Sequence, residues 1–137
     1  MTPLYTATAT SEGGRAGRVK SDDATLDFQL TVPKGLGGPG GAGTNPEQLF
    51  AAGYSACFAG ALGLVSRNAG VNPGPHTITA KVSIGKDATS YGLAVELTGK
   101  FAELPREKAE QLMKAAHEVC PYSKATRGNV DVKLTVE

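Results

Sequence analysis

Apolar and polar residues alternate with period two in five stretches of the chain: Tyr5/Ala7/Ala9, Leu26/Phe28/Leu30/Val32, Ile78/Ala80/Val82/Ile84, Leu93/Val95/Leu97 and Val130/Val132/Leu134/Val136. The residues between them, among them Thr6, Asp27, Lys81, Glu96 and Lys133, are polar. Period two marks a strand with one face buried and one wet. A shorter sixth strand is predicted at Arg18 to Lys20, after the Gly13-Gly14 turn. The alternation predicts antiparallel sheets, because strands of parallel sheets are usually covered on both faces. Two helices interrupt the series. The first starts with Asn45 as cap, Pro46 at the first helical position and Gln48 completing a capping-box-like pair, and runs to about Gly70. The second begins near Pro105 and carries Ala109, Leu112, Met113, Ala116 and Val119 as an amphipathic stripe. Pro121 should stop it or break it into a short turn, since proline cannot continue the hydrogen-bond ladder. Strands, helix, two strands, helix, strand is an α+β order, and 137 residues suit one domain spanning 1–137.

Composition narrows the chemistry. With 40% hydrophobic and 20% charged residues the chain has an ordinary globular profile. Fourteen Lys+Arg against thirteen Asp+Glu leave a net charge of +1, so the field that gathers nucleic acid or anionic lipid is missing. Neither nucleic acid nor membrane is an expected partner. No window approaches 18 consecutive apolar residues and the first twenty lack an apolar signal core, which predicts a cytoplasmic protein. Between Gly35 and Gly43 six of nine residues are glycine. The run lacks the Lys-Ser/Thr ending and the spacing of a phosphate loop, so it reads as a flexible or closely packed connection. His76 and His117 have no partner at metal-ligand spacing and are expected at the surface; neither metal nor cofactor is expected.

Two cysteines are too few for a disulfide scaffold or a four-ligand zinc site, leaving inert core thiols or redox chemistry. Cys57 falls mid-helix, with Phe50, Gly53, Gly60 and Leu64 on its face. Interior helix glycines cost about 1 kcal/mol each relative to alanine, so two beside one cysteine need a reason. Close helix packing is one; room beside the sulfur for a substrate or partner side chain is the other. Cys120, at i+4 from Ala116 and i+7 from Met113, ends the buried stripe of the second helix. By helical position alone each thiol is a small buried hydrophobe. A cation able to hold Cys57 as thiolate, the nucleophilic form, would alter that reading.

Four blocks supply a resemblance: Gly-Gly-Arg-Ala-Gly-Arg at 13–18, Gly-Gly-Pro-Gly-Gly at 37–41, the run from Thr44-Asn45-Pro46-Glu47-Gln48 through Ala56-Cys57-Phe58, and Val119-Cys120-Pro121-Tyr122-Ser123 through Thr126-Arg127-Gly128-Asn129. In this order and over essentially the whole chain, they closely resemble the organic hydroperoxide resistance proteins, the Ohr branch of the OsmC/Ohr family. The resemblance implies an intertwined homodimer with antiparallel sheets packed around central helices. It implies a thiol peroxidase in which Cys57 is the peroxidatic cysteine and Cys120 the resolving one. Arg15 matches the family's active-site arginine, and Glu47 matches its carboxylate partner. The N-terminus is shorter than the family's, with every motif intact. The implied reductant is a lipoyl dithiol, on a lipoylated protein or as dihydrolipoamide.

These roles suit the residue types. An always-charged guanidinium favours the thiolate of a cysteine whose free pKa is about 8.5, and Glu47 would orient it through a bidentate pair. Alone, Arg15 reads as a solvated turn residue and Glu47 as a favourable acid in a first helical turn. Ten residues of unbroken helix put Glu47 about 15 Å from Cys57 in rise. Arginine must bridge that gap, or the helix must start later, or Glu47 must serve the other subunit; a site shared across a dimer is the preferred reading. Phe50, Phe58, Met113 and Tyr122 are candidate substrate-binding side chains. Tyr122 positions a reductant or simply packs, and Arg127 is structural. The competing readings are a thiol-based redox sensor and another OsmC-like peroxidase.

Overall fold

The alternating segments build two three-stranded sheets. The computed structural model describes Met1–Glu137, and the chain divides into two compact units, Met1–Leu49 and Phe50–Glu137. In the first, β1 (Ala9–Glu12), β2 (Arg18–Ser21) and β3 (Asp27–Gln29) pair antiparallel in the order β1-β2-β3, with Ala9 opposite Ser21 and Arg18 opposite Gln29. The predicted strands are longer than the observed ones. Tyr5 and Ala7 lie outside β1, and the strand expected to reach Val32 ends at Gln29. Past that point Leu30 keeps one bond to the β2 side, its N–H donating to Gly17 O (2.8 Å), and the chain then pairs with Thr44 instead, the Thr31 N–H donating to Thr44 O (2.9 Å). Leu30 is the only buried apolar side chain of this unit, while Leu4, Tyr5, Leu26 and Phe28 are exposed. The glycine-rich run folds back as a connection in which Thr31 Oγ1 donates to Gly40 O at 2.8 Å.

In the second unit β4 (His76–Lys86) and β5 (Tyr91–Phe101) form an eleven-residue antiparallel hairpin. Its turn is held by Asp87 Oδ1, which accepts the N–H groups of Thr89 (2.8 Å) and Ser90 (2.7 Å). β6 (Asp131–Val136) pairs with β5 in parallel, from Ala94 opposite Asp131 to Gly99 opposite Val136. This corrects the wholly antiparallel expectation. The chain returns to the sheet through α2 (Arg106–Val119) and α3 (Pro121–Thr126), a crossover that delivers β6 in the direction of β5. Alternation survives because one sheet face is covered: Val95, Leu97 and Val136 join the core. On the wet face Glu96 pairs with Lys81 (3.6 Å) and Lys133 (3.4 Å). Period two thus reports how many faces are covered, whatever the strand direction.

α1 (Pro46–Ala69) begins where the cap signal places it: Asn45 Oδ1 accepts the Gln48 N–H at 2.8 Å. The reciprocal half of the capping box is replaced, since the Gln48 side chain accepts from Thr44 Oγ1 (2.9 Å). Tyr54, Phe58, Ala61 and Leu62, spaced to fall on one helix face, meet Val95, Leu97, Ala109, Leu112, Met113, Ala116 and Cys120 in a single core. Each large apolar side chain so buried contributes roughly 1.5–3 kcal/mol. An 18-residue stretch of α1 has mean hydropathy 1.6 with 28% of it buried, so by length and composition this helix could cross a membrane. The expectation of no such segment counted strictly apolar runs. Gly, Ser and Tyr interrupt those runs here without adding charge. In α2 the stripe is buried from Ala109 to Ala116, but Val119 at its end is exposed. Cys120 then adopts an extended backbone (φ −65°, ψ 124°), and Pro121 restarts the chain as the first residue of α3.

Candidate active site

The break at Pro121 turns Cys120 toward α1. Cys120 is fully buried and Cys57 partly so, both are free thiols, and their sulfurs lie 3.7 Å apart although 63 residues separate them. Burial pushes the Cys57 thiol above its ordinary pKa; the Tyr122 backbone N–H pulls it back, and the neighbouring Cys120 thiol adds to the rise. The pair is placed to interconvert between dithiol and disulfide. Cys57 needs a cation to become a strong nucleophile near neutral pH.

Gly53, one turn before Cys57, is explained by packing: a Cβ there would lie 3.1 Å from Tyr122 Oη and 3.2 Å from its Cε2. Tyr122, Tyr54 and Phe50 form an aromatic cluster, with ring centroids 5.7 Å (Tyr54–Tyr122), 5.9 Å (Phe50–Tyr54) and 6.3 Å (Phe50–Tyr122) apart. A Cβ at Gly60 would meet nothing within 4 Å. Packing thus accounts for Gly53, while the space at Gly60 is open. Of the four side chains expected to bind substrate, Tyr122 is exposed and Phe50 half-buried, while Phe58 and Met113 are core side chains with almost no free surface.

In the first unit, Arg15 sits in a 3-10 turn at Gly14–Ala16, entered through Gly13 (φ 76°) and Gly14 (φ 58°), left-handed conformations that glycine adopts without steric cost. Its guanidinium grips Glu47 in a fork, Nη1 to Oε2 at 2.9 Å and Nη2 to Oε1 at 2.7 Å. The pairing holds the Glu47 carboxyl below the usual carboxylate range, chiefly through these bonds, and raises Arg15 further. Because α1 starts at Pro46 and runs unbroken past Cys57, a later helix start is ruled out as a way to close a helical rise of about 15 Å. No three His, Cys, Asp or Glu side chains converge as a metal cluster.

Sequence reasoning missed a buried polar string beside the thiols. Tyr54 Oη lies 2.9 Å from Ser123 Oγ and 3.1 Å from Thr126 Oγ1, and His117 Nδ1 lies 2.8 Å from Ser123 Oγ. His117, expected at the surface, is half-buried, and burial lowers its pKa, helped by Arg127 and opposed by Glu118. Arg127 donates to His117 O at 2.6 Å, a structural contact. His76 is also half-buried, stacked on Phe101 at 5.5 Å with Nδ1 against Gly74 O (2.7 Å). The available signal was a tyrosine hydroxyl on an otherwise apolar helix face, which once buried must find a partner.

The sequence and the fold both match those of known proteins. The model of the OsmC-like protein family matches residues 38–135. An organic hydroperoxide resistance protein of Xanthomonas axonopodis pv. citri is 50% identical over 134 residues, covering 97% of this chain and 94% of its own. The organic hydroperoxide resistance protein OhrB of Bacillus subtilis is 51% identical over 136 residues, 98% of each chain; its crystal structure superposes with a TM-score of 0.90, covering 98% of this chain and all of that one. A crystal structure of an organic hydroperoxide resistance protein OsmC from Legionella pneumophila, 46% identical, gives a TM-score of 0.93 over 99% of both chains. The chain belongs to the OsmC-like family, in its organic hydroperoxide resistance branch.

Proposed function

We propose that this chain is a thiol peroxidase that reduces organic hydroperoxides, fatty-acid hydroperoxides included, to alcohols. The observation that carries the reading is the pair of free thiols 3.7 Å apart, brought together from segments 63 residues apart. Kinship with proteins named for organic hydroperoxide resistance supplies the substrate class. In the first step the Cys57 thiolate attacks the peroxide, the O–O bond breaks, sulfur takes one oxygen as sulfenate, and the alkoxide leaves with a proton as alcohol. Arg15, oriented by Glu47, stabilises the thiolate and donates to the departing oxygen. In the second step the Cys120 sulfur attacks the Cys57 sulfenic acid, forming the disulfide and releasing water. A dithiol reductant, by family resemblance lipoyl on a protein or dihydrolipoamide, then takes the disulfide's place in two exchanges and restores both thiols.

Phe50 and Tyr122 are the side chains best placed to meet an alkyl or aryl group. The protein acts as a homodimer in the cytoplasm. Support for the dimer comes from α1, which is apolar, incompletely buried and exposes Leu64, and from the first unit, which exposes Leu4, Tyr5, Leu26 and Phe28. A close-packed second copy would cover such surface. The test is steady-state consumption of cumene hydroperoxide with dihydrolipoamide, with sedimentation of the same sample. Sustained turnover by a species of twice 14.0 kDa is the expected result. Stoichiometric oxidation without turnover points to a redox sensor and overturns the proposal.

A further inference from the structure

The buried string beside the cysteines has one consistent proton order. Thr126 Oγ1 donates to the backbone carbonyl of Ser123 at 3.1 Å, an atom that can only accept. With that proton committed, Thr126 Oγ1 must accept from Tyr54 Oη. With the Tyr54 proton committed in turn, Tyr54 Oη must accept from Ser123 Oγ. Ser123 then has nothing left to give His117, so His117 Nδ1 carries the proton and donates to Ser123 Oγ. One carbonyl at the far end thereby fixes the tautomer of a histidine three hydroxyls away, and all four bonds are satisfied.

The string also brackets both sulfurs. Tyr54 is three residues before Cys57 on α1, His117 three before Cys120 on α2, and Ser123 three after Cys120 on α3. A disulfide needs sulfurs about 2.05 Å apart, so from 3.7 Å closure is a shift of roughly 1.6 Å by segments already tied together. We propose that Tyr54, Ser123, Thr126 and His117 are positioning residues: their one-way hydrogen-bond chain holds Cys120 at the sulfur of Cys57 and so sets the rate of disulfide closure. This deepens the peroxidase reading and rests on it for its biological use, but the closure itself can be driven without peroxide. In the peroxide route Cys120–SH and Cys57–SOH give the disulfide and water. In the exchange route Cys57 first takes up half of a small chromophoric aromatic disulfide, releasing one thiolate, and Cys120 then displaces the second.

The test uses the full chain as wild type, Thr126→Val, Thr126→Ser and Tyr54→Phe. Thr126→Val leaves Tyr54 without its acceptor, so Tyr54 turns to Ser123, Ser123 turns to His117, and the histidine proton moves to Nε2. Nitrogen-15 NMR should show His117 as the Nδ1–H tautomer in wild type and Thr126→Ser, and as Nε2–H in Thr126→Val and Tyr54→Phe. His76, whose Nδ1 faces the Gly74 carbonyl, is the internal control and should stay Nδ1–H throughout. Rapid mixing should show closure slowed about tenfold in Thr126→Val and Tyr54→Phe by both routes, equivalent to about 1.4 kcal/mol. Sulfenate formation, read by trapping with a cyclic dione, should keep its wild-type rate, and Thr126→Ser should restore closure. A His117 tautomer unmoved in Thr126→Val overturns the one-way chain, and a moved tautomer with unchanged closure overturns the positioning role. A wild type inert to hydroperoxide but closing by exchange refutes the peroxidase reading alone.

Discussion

Glu47→Gln removes the charge that holds the Arg15 guanidinium while keeping nearly the same shape. The wild-type fork has bonds of 2.9 and 2.7 Å, with the Glu47 side chain 14% exposed and Arg15 40% exposed. Hydrogen bonds to charged groups contribute roughly 1.5–3 kcal/mol when covered, and exposed ion pairs about 0.2–1 kcal/mol. With the acid covered and the base two-fifths open, about 1 kcal/mol of stability should be lost. The kinetic loss has another origin: glutamine offers one acceptor where the fork needs two, so the guanidinium is no longer fixed in one orientation. A tenfold slower attack on hydroperoxide, about 1.4 kcal/mol in barrier, is expected. The assay is the second-order rate of thiol loss under excess cumene hydroperoxide in a Cys120→Ser background. Because the Glu47 carboxyl is held below the usual range, the pair is fully formed above the ordinary carboxylate value of about 4.3. It weakens only as pH falls through the lower folded value. Between about pH 5 and 8 titration of Glu47 should therefore leave the ratio of wild type to variant unchanged, while both rates climb with pH as the Cys57 thiol ionises. An unchanged rate, or a ratio collapsing toward one near pH 6, refutes the role given to Glu47.

Three further outcomes follow from the same geometry. Cys57→Ser should abolish peroxide consumption, because a hydroxyl is far too weakly acidic to replace the thiolate, whereas Cys120→Ser should consume about one equivalent and then stall or over-oxidise; full turnover in Cys57→Ser contradicts the mechanism. Gly53→Ala places a methyl 3.1 Å from Tyr122 Oη; overpacking of about 1–3 kcal/mol, less the roughly 1 kcal/mol that alanine gains over glycine in a helix, should destabilise the fold by up to about 2 kcal/mol in a thermal or denaturant melt, and a rise in stability would mean the ring yields freely. Bulky hydroperoxides should show higher kcat/KM than hydrogen peroxide, since about 0.8 kcal/mol per buried methylene over several carbons amounts to roughly a hundredfold; equal values with one reductant would exclude an apolar approach to Cys57.

What the sequence made legible were the features carried by local pattern. Asn45-Pro46 set the start of α1, Pro121 broke α2 from α3, and the hairpin of β4 and β5 followed its alternation. Direction did not follow, because the parallel pairing of β6 depends on the crossover through α2 and α3 and leaves no mark on residue periodicity. Nor did the extent of β1 and β3, which are short because this unit covers so little of their apolar face. The two thiols and the Arg15–Glu47 fork are long-range meetings, 63 and 32 residues apart in the chain, and periodicity cannot pair such residues. Motif resemblance singled them out. Tyr54 escaped notice because it sits in a run of alanine and glycine that reads as a packing face, although its hydroxyl bonds two other side chains, Ser123 and Thr126.

The thiol pair contains an opposition that explains why a second element is needed. Cys120 must lie close to Cys57 for the disulfide to close, yet burial first and the Cys120 thiol second push the Cys57 thiol upward, away from the nucleophilic form. Within the second unit the Tyr122 N–H opposes that shift with a single neutral donor. A full positive charge does more than one amide, and Arg15, already held by Glu47, is the residue proposed to bring it. Ionisation and closure are thus assigned to different groups, and the assignment separates in experiment. Glu47→Gln should slow sulfenate formation and leave exchange-driven closure intact, whereas Thr126→Val should slow closure and leave sulfenate formation intact. If both variants slowed the same step, the division of labour between the fork and the hydrogen-bond chain would be refuted, because neither group would then act on its own half of the cycle.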